Sequence, residues 1–162
     1  MNWVYYNGQW MNGDEPQLMI GNRGYLYGDG LFESIRCKNG KALFLAYHIE
    51  RIKHGANTLH LNSSCLNEIS LAALIEELND RNNLKPGSRI RLVLTRRSGN
   101  TYMPQSDEAD LLIMSTGPMP EYFAQNSGIS VGLFPQSKKQ VNAWSSFKHC
   151  NSLLYVLASR YA

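Results

Sequence analysis

The stretch GDGLFESIRC, residues 28–37, is the part of the sequence that determines the fold. The composition of residues 31–37 is typical of a β-strand. The Asn39-Gly40 pair that follows favours a type I′ turn, because both of its central positions need a positive φ. Residues 42–45 are then expected to return as a second strand. The sequence therefore predicts a hairpin, preceded by a glycine-rich segment at 21–30 that bends sharply.

Two helices are predicted after this hairpin. The first has apolar residues at helical spacing on one face: Leu45, Ile49, Ile52, Ala56 and Leu59. His48 and Arg51 are offset from that face and are expected to project from its flank. The second helix is capped by Ser64 or Asn67 and ends at the turn 85–87. Its predicted apolar face comprises Ile69, Ala72, Ala73, Leu74 and Leu78.

Further strands are predicted on both sides of the helices. Residues 3–6 lead into a tight Asn7-Gly8 turn, and residues 89–96 alternate polar and apolar side chains. Residues 109–114 form a short apolar run that is also typical of a strand. The first part of the chain is therefore expected to combine a sheet with helices.

Three segments are distinguished along the chain. Proline and glycine at 116–120 predict a domain edge, while strand character resumes at 128–134 and a helix is predicted at 152–161. These features predict a first domain at 1–117, a linker at 118–127 and the beginning of a second domain at 128–162.

The composition is that of a soluble globular protein, with 43% hydrophobic and 18% charged residues. A net charge of +3 without a basic stripe disfavours nucleic-acid binding. Three widely separated cysteines are typical of reduced thiols in the cytoplasm, and the four histidines lack metal-ligand spacing. No signal peptide or membrane-spanning run is recognised. The glycines near 21–30 match neither a phosphate-binding loop nor a dinucleotide fingerprint.

Lys148 lies in the small and apolar stretch SSFKHCNSLL, residues 145–154, with no carboxylate within ten residues on either side. A desolvated lysine amine is suited to Schiff-base chemistry. The alternative on composition alone is a surface lysine at the start of a helix, with its alkyl chain packed and its amine in water.

Four motifs, taken in order, resemble the class IV aminotransferases, which are the fold-type IV pyridoxal-phosphate enzymes. They are residues 28–36, His48-x-x-Arg51, the strand through Arg91, and Lys148-x-x-Asn151-x-Leu153. The resemblance implies an α+β fold, namely a two-layer sheet-and-helix N-terminal domain followed by the start of a second domain. It covers nearly all of the chain but only about the N-terminal half of a usual family member.

The resemblance also implies roles for individual residues. Lys148 matches the lysine that forms the Schiff base with pyridoxal 5'-phosphate and then moves a proton, and Arg51 matches the arginine that binds the cofactor phosphate. The candidates for substrate binding are Tyr25, Tyr27, Phe32, Arg36, Arg91 and Arg97. No metal is implied. His48 is interpreted as a packing residue at the start of its helix.

Three functions remain open on these grounds. The first is amino transfer between an amino acid and a 2-oxo acid, and the second is pyruvate elimination by an aminodeoxychorismate lyase. Lys148-x-x-Asn151 has the spacing of D-amino-acid aminotransferases and lyases. However, the loop 96–102 lacks the arginine and histidine with which D-amino-acid aminotransferases bind the substrate carboxylate. Because the family's ring-nitrogen glutamate and phosphate cup are expected after residue 162, the third is an inactive dimerising fragment. Family members are dimers, so a homodimer is expected.

Overall fold

The computed structural model describes residues 2–14, 21–99, 101–120 and 128–162. Its elements in chain order are β1 (Trp3–Tyr6), β2 (Gln9–Asn12), α1 (Arg23–Tyr27), β3 (Gly30–Lys38), β4 (Lys41–Ala42), α2 (Leu45–Thr58), α3 (Glu68–Arg81), β5 (Gly87–Arg96), β6 (Ala109–Thr116) and α4 (Leu153–Tyr161). None of the helices in these ranges is long and apolar enough to cross a membrane.

One antiparallel sheet organises the structure, with the strand order β2-β1-β6-β5-β3-β4. Both predicted tight turns are confirmed. Asn39 and Gly40 have φ of 51° and 78°, and Asn7 and Gly8 have φ of 46° and 91°, as type I′ turns require. Each edge of the sheet is therefore a local hairpin, β1–β2 on one side and β3–β4 on the other.

Helices α2 and α3 cover one face of this sheet. Alternate residues of the central strands point toward the helices and are fully buried, among them Ile35, Ile90, Leu92 and Ile113. They pack against the buried stripes of the two helices in a single hydrophobic core. This two-layer arrangement confirms the predicted α+β fold class.

The predicted face of α3 is right at Leu78 but wrong at Ile69 and Ala73, which are exposed. The structure buries Leu71, Ile75 and Leu78, whereas Ile69 is 82% exposed. The helix begins after Asn67, whose side chain accepts a hydrogen bond from the Ser70 backbone N–H. Leu71, Ile75 and Leu78 recur at spacings of four and three, so they form the stripe that meets the sheet. The stripe also contains a polar residue, Asn79, which no apolar pattern predicts.

Two predicted boundaries also differ from the structure. The return strand β4 has only two residues, because Leu45 is buried as the first residue of α2 and the chain is helical from there. Helix α3 ends at Arg81, several residues before the turn at 85–87, and Asn83 follows with a φ of 57°. A left-handed residue cannot continue the helix.

No strand is present at 128–134, contrary to the prediction. Its apolar side chains Ile129, Val131 and Leu133 are exposed, and no strand within the described residues pairs with it. A strand forms only where an edge supplies hydrogen-bond partners, and composition alone does not show whether an edge exists. Residues 121–127 of the predicted linker lie outside the described residues, and the domain division stays a prediction.

The helix predicted at 152–161 is confirmed as α4. None of its residues is buried within the described part of the chain. Its N-terminal end nevertheless lies close to the segment that carries Lys148, and that segment is attached to the sheet.

Candidate active site

The backbone around Lys148 is fixed to strand β3. The Phe32 N–H donates to the Lys148 carbonyl and the Cys150 N–H donates to the Gly30 carbonyl, both at 2.9 Å. Leu31 and His149 form an antiparallel bridge. This pairing is possible because β4 pairs only with the far end of β3, which leaves the edge at its beginning open. The lysine is therefore held by sheet hydrogen bonds.

Two motifs that are distant in sequence meet beside this pairing. Gly28 ends α1 in the left-handed conformation, with a φ of 67°. A Cβ atom at Gly28 would lie 3.3 Å from the Cβ of Asn151. The glycine thus permits both the turn and the close approach of the chain just after Lys148.

The residues before Lys148 are packed on helix α2. Phe147 is buried in the core, and its ring contacts the His54 ring edge-on at 6.0 Å between centroids. Gly55 makes this contact possible, since a Cβ atom there would lie 2.9 Å from the Phe147 ring. The Ser146 hydroxyl is 3.3 Å from His54 Nε2. Lys148 therefore follows directly after an anchored aromatic residue.

A cavity of about 410 Å³ opens at this point. Arg51, Lys139 and Lys148 contribute to its lining, and no carboxylate is among the lining residues that the structure describes. Trp144 and Tyr155 supply aromatic walls. Phe32 also lines it, with its ring centroid 5.8 Å from Lys148 Nζ. The cavity is thus cationic and partly aromatic, which suits a planar anionic ligand.

A buried carboxylate lies behind Arg51. Glu33 Oε1 accepts from Arg51 Nε at 2.7 Å, and Oε2 accepts from Arg51 Nη2 at 2.6 Å and from His48 Nδ1 at 2.8 Å. Burial acts to raise the pKa of Glu33, but hydrogen bonds and charge from Arg51 and His48 hold it below its ordinary value. The same contact with Glu33 raises the pKa of Arg51.

Glu33 is not among the site residues predicted from the sequence, and His48, predicted to be a packing residue, instead contacts the Glu33 carboxylate. The sequence does indicate a role for Glu33, because Glu33 lies between Leu31 and Ile35 on the core-facing side of β3. A carboxylate at such a position needs a cationic partner. His48 and Arg51, one helical turn apart on α2, are that partner.

Arg91 also contacts Phe32. Its guanidinium carbon is 3.5 Å from the centroid of the Phe32 ring, and Arg91 forms no ion pair with any residue that the structure describes. Burial lowers its pKa. A partly desolvated guanidinium without an anionic partner is suited to receive a carboxylate.

The remaining predicted substrate residues lie outside the cavity. Tyr25 and Tyr27 are exposed on α1, where Tyr27 contacts Tyr102 with ring centroids 5.8 Å apart. Arg36 donates to the backbone carbonyls of Met119 and Pro120. Arg97 pairs with Asp110 at 3.2 Å and lines a separate cavity of about 240 Å³. The structure therefore brings Lys148, Arg51 and Phe32 together, with Arg91 adjacent.

The structure thus brings Lys148, which is fixed to a sheet edge, together with the cations Arg51 and Lys139 in the lining of one cavity. Such a lining suits the class of proteins that bind an anionic group and use an amine. The comparison with known families agrees. The family described as "Amino-transferase class IV" matches residues 30–162, and the chain belongs to this family. The resemblance inferred from the four motifs is thereby confirmed. This is a family of pyridoxal-phosphate enzymes.

Two relatives that match by sequence are aminotransferases by name. A putative branched-chain-amino-acid aminotransferase of Methanocaldococcus jannaschii is 29% identical over 98% of this chain and 56% of its own length. A D-alanine aminotransferase of Staphylococcus aureus is 33% identical over 54% of this chain and 31% of its own length. Thus the chain spans about half the length of the first relative, and less of the second.

Among solved structures, the fold matches that of 4-amino-4-deoxychorismate lyase from Pseudomonas aeruginosa. The TM-score is 0.78 at 22% identity, and the match covers 98% of this chain and 56% of that chain. At this identity the likeness concerns the fold alone. It includes the 128–162 segment as well as the sheet and helices.

Proposed function

We propose that this chain carries the lysine and phosphate-binding arginine of a pyridoxal-phosphate-dependent aminotransferase that acts on an amino acid and a 2-oxo acid. The observation that carries the proposal is that Lys148 and Arg51, 97 residues apart in sequence (148 − 51), line one cavity. The relative that matches almost the whole chain is also an aminotransferase by name.

The lining of the cavity fits pyridoxal phosphate. The cofactor carries a phosphate dianion and an aldehyde, and the cavity offers cations and a lysine amine with no carboxylate among its described lining residues. Its volume of about 410 Å³ falls within the range of roughly 300–1,000 Å³ typical of small-molecule sites. When bound, the cofactor supplies an electron sink for carbanion chemistry.

Each residue has a defined task in this proposal. Lys148 Nζ holds the cofactor at its carbonyl carbon and moves the proton at the substrate Cα, since an amine can act as nucleophile and as base. Arg51 holds the phosphate with its planar guanidinium. The Phe32 ring beside Lys148 Nζ excludes water from one side of the amine.

For the substrate carboxylate, Arg91 is the best supported of the predicted residues, because it is next to Phe32 and has no ionic partner among the described residues. Tyr25, Tyr27, Arg36 and Arg97 stay proposals for substrate binding. A cytoplasmic homodimer also stays a proposal. The three cysteines are free, which supports a reducing compartment.

Trapping with borohydride tests the lysine. After incubation with pyridoxal phosphate and reduction, peptide mass mapping is expected to find the phosphopyridoxyl group on Lys148. Lys139 is the matched control, because it lines the same cavity and is also exposed to reagent. Labelling of Lys139 and Lys148 to the same extent would contradict the proposal.

Product analysis tests the reaction. Amino transfer predicts that a 2-oxo acid is consumed as the amino donor is converted. The alternative is 4-amino-4-deoxychorismate lyase, which would use the same lysine to release pyruvate without an amino acceptor. Pyruvate release under those conditions, with no amino transfer, would favour the lyase over our proposal.

A further inference from the structure

Glu33 is the most deeply buried charged group beside the cavity. It lies on the core-facing side of β3 and is 1% exposed. A buried carboxylate is costly unless it is paired and hydrogen-bonded, and replacement by an apolar residue would remove that cost. The presence of Glu33 among Leu31 and Ile35 therefore calls for an explanation beyond packing.

The geometry of the contact between Glu33 and Arg51 supplies an explanation. Glu33 engages the Nε and Nη2 atoms of Arg51, so both the position and the plane of the guanidinium are fixed. Arg51 Nη1 makes no hydrogen bond within the described part of the chain, and the side chain is 36% exposed where it lines the cavity. The carboxylate thus occupies one edge of the guanidinium and leaves another for a ligand.

His48 fixes the carboxylate in turn. Its Nδ1 is 2.8 Å from Glu33 Oε2, and because a carboxylate only accepts, Nδ1 carries the hydrogen. His48 and Arg51 both belong to α2, so one turn of this helix holds both oxygens of Glu33.

We propose that Glu33 is a positioning residue that orients Arg51 toward the cofactor phosphate, with His48 locking the carboxylate. This inference rests on the proposed function. An arginine side chain loses considerable rotamer freedom when it binds a ligand, and a residue that orders it beforehand reduces that loss. Glu33 therefore strengthens phosphate binding although its own charge is negative.

The sign of the effect separates this role from simple electrostatics. If charge alone mattered, Glu33→Gln would strengthen phosphate binding, and Glu33→Asp would leave it unchanged. If orientation matters, both variants weaken it, since Gln offers one acceptor oxygen and Asp is shorter by one methylene. Each therefore loses part of the two-oxygen contact.

The test compares dissociation constants of pyridoxal phosphate and pyridoxal, which lacks the phosphate, for the 162-residue chain and its variants. Both Glu33 variants are expected to lower the preference for the phosphorylated ligand about tenfold, as for one charge-assisted hydrogen bond, while pyridoxal affinity is kept. Glu77→Gln is the matched control, because Glu77 pairs with Arg81 on the solvent-facing side of α3. A preference unchanged in both Glu33 variants, or increased in Glu33→Gln, would overturn the inference.

Arg51→Ala separates failure of the inference from failure of the proposed function. If Arg51→Ala loses the phosphate preference and the Glu33 variants keep it, only the positioning role is wrong. If the wild-type chain shows no preference for pyridoxal phosphate over pyridoxal, or if Arg51→Ala keeps that preference, the proposed function fails and the inference with it.

A second variant covers the case in which Glu33 variants do not fold. His48→Ala removes one hydrogen bond to Glu33 but leaves the ion pair with Arg51. It is expected to lower the phosphate preference about threefold, as for one hydrogen bond of moderate strength. An unchanged preference in folded His48→Ala would then overturn the positioning role.

Discussion

At the scale of single residues, the Phe32 ring lies near two cations to which we assign different tasks. Its ring lies 3.5 Å from the Arg91 guanidinium carbon and 5.8 Å from Lys148 Nζ. Cation–π contacts hold both groups near the ring without neutralising either charge. In the proposed function, Arg91 therefore attracts the substrate carboxylate while Lys148 acts on the carbon next to it.

Arg91→Met is expected to weaken binding of a 2-oxo acid about tenfold or more, because a charge-assisted hydrogen bond to the carboxylate is lost. Labelling of Lys148 by pyridoxal phosphate should stay the same. Titration with the 2-oxo acid measures the first quantity and borohydride trapping the second. Arg89→Met is the control, since Arg89 is on the same strand but more exposed. Equal weakening in both variants would argue against a specific carboxylate contact.

Glu33 gives the stability of the chain a defined pH dependence. Its folded-state pKa lies below the ordinary value of 4.5, so the unfolded chain binds a proton first as the pH falls. The contribution of Glu33 is therefore complete above that value and is lost as the pH falls through the folded-state pKa. Urea unfolding of wild type and Glu33→Gln between about pH 6 and pH 3 measures it. If wild type and variant lose stability in parallel, Glu33 is not the titrating group.

At the scale of elements, the docking of the segment before Lys148 on α2 depends on Gly55. A Cβ atom at that position would approach both Leu31 and Phe147 to 2.9 Å. Gly55→Ala is expected to reduce the free energy of unfolding by about 1–3 kcal/mol, the usual cost of overpacking. It should also slow the labelling of Lys148, because Phe147 must move away from the helix.

Gly132→Ala is the matched control for Gly55→Ala, since a Cβ atom there would have no neighbour within 4 Å. Chemical denaturation and the rate of borohydride-trapped labelling measure the two effects. If Gly55→Ala and Gly132→Ala have equal stability and labelling rates, the packing of Phe147 on α2 does not position the lysine.

The elements differ in how far the sequence predicts them. Helix α2 and the Asn39-Gly40 turn were predictable because periodicity and turn chemistry act locally. The pairing of Leu31 with His149 depends on an edge of β3 that β4 leaves open, and no local pattern reports such an edge. The role of Glu33 could be predicted from the sequence, because a carboxylate on an apolar strand face indicates a buried cationic partner.

At the scale of the whole molecule, the described apolar side chains fall into two groups. Those of the sheet, α2 and α3 form one core, to which Phe147 also belongs. Those at 128–134 and on α4 are largely exposed. The sheet-and-helix layer therefore holds most of the stability, while the segment around Lys148 is attached to it at β3 and α2.

Two leucines in different helices test this distribution. Leu78 in α3 is fully buried and Leu153 in α4 is 64% exposed. We expect Leu78→Ala to reduce the free energy of unfolding by about 2–5 kcal/mol and Leu153→Ala to change it by less than about 0.5 kcal/mol. Denaturant unfolding at two protein concentrations measures both. A large cost for Leu153→Ala that grows with concentration would mean that self-association covers α4, because only an intermolecular contact responds to concentration.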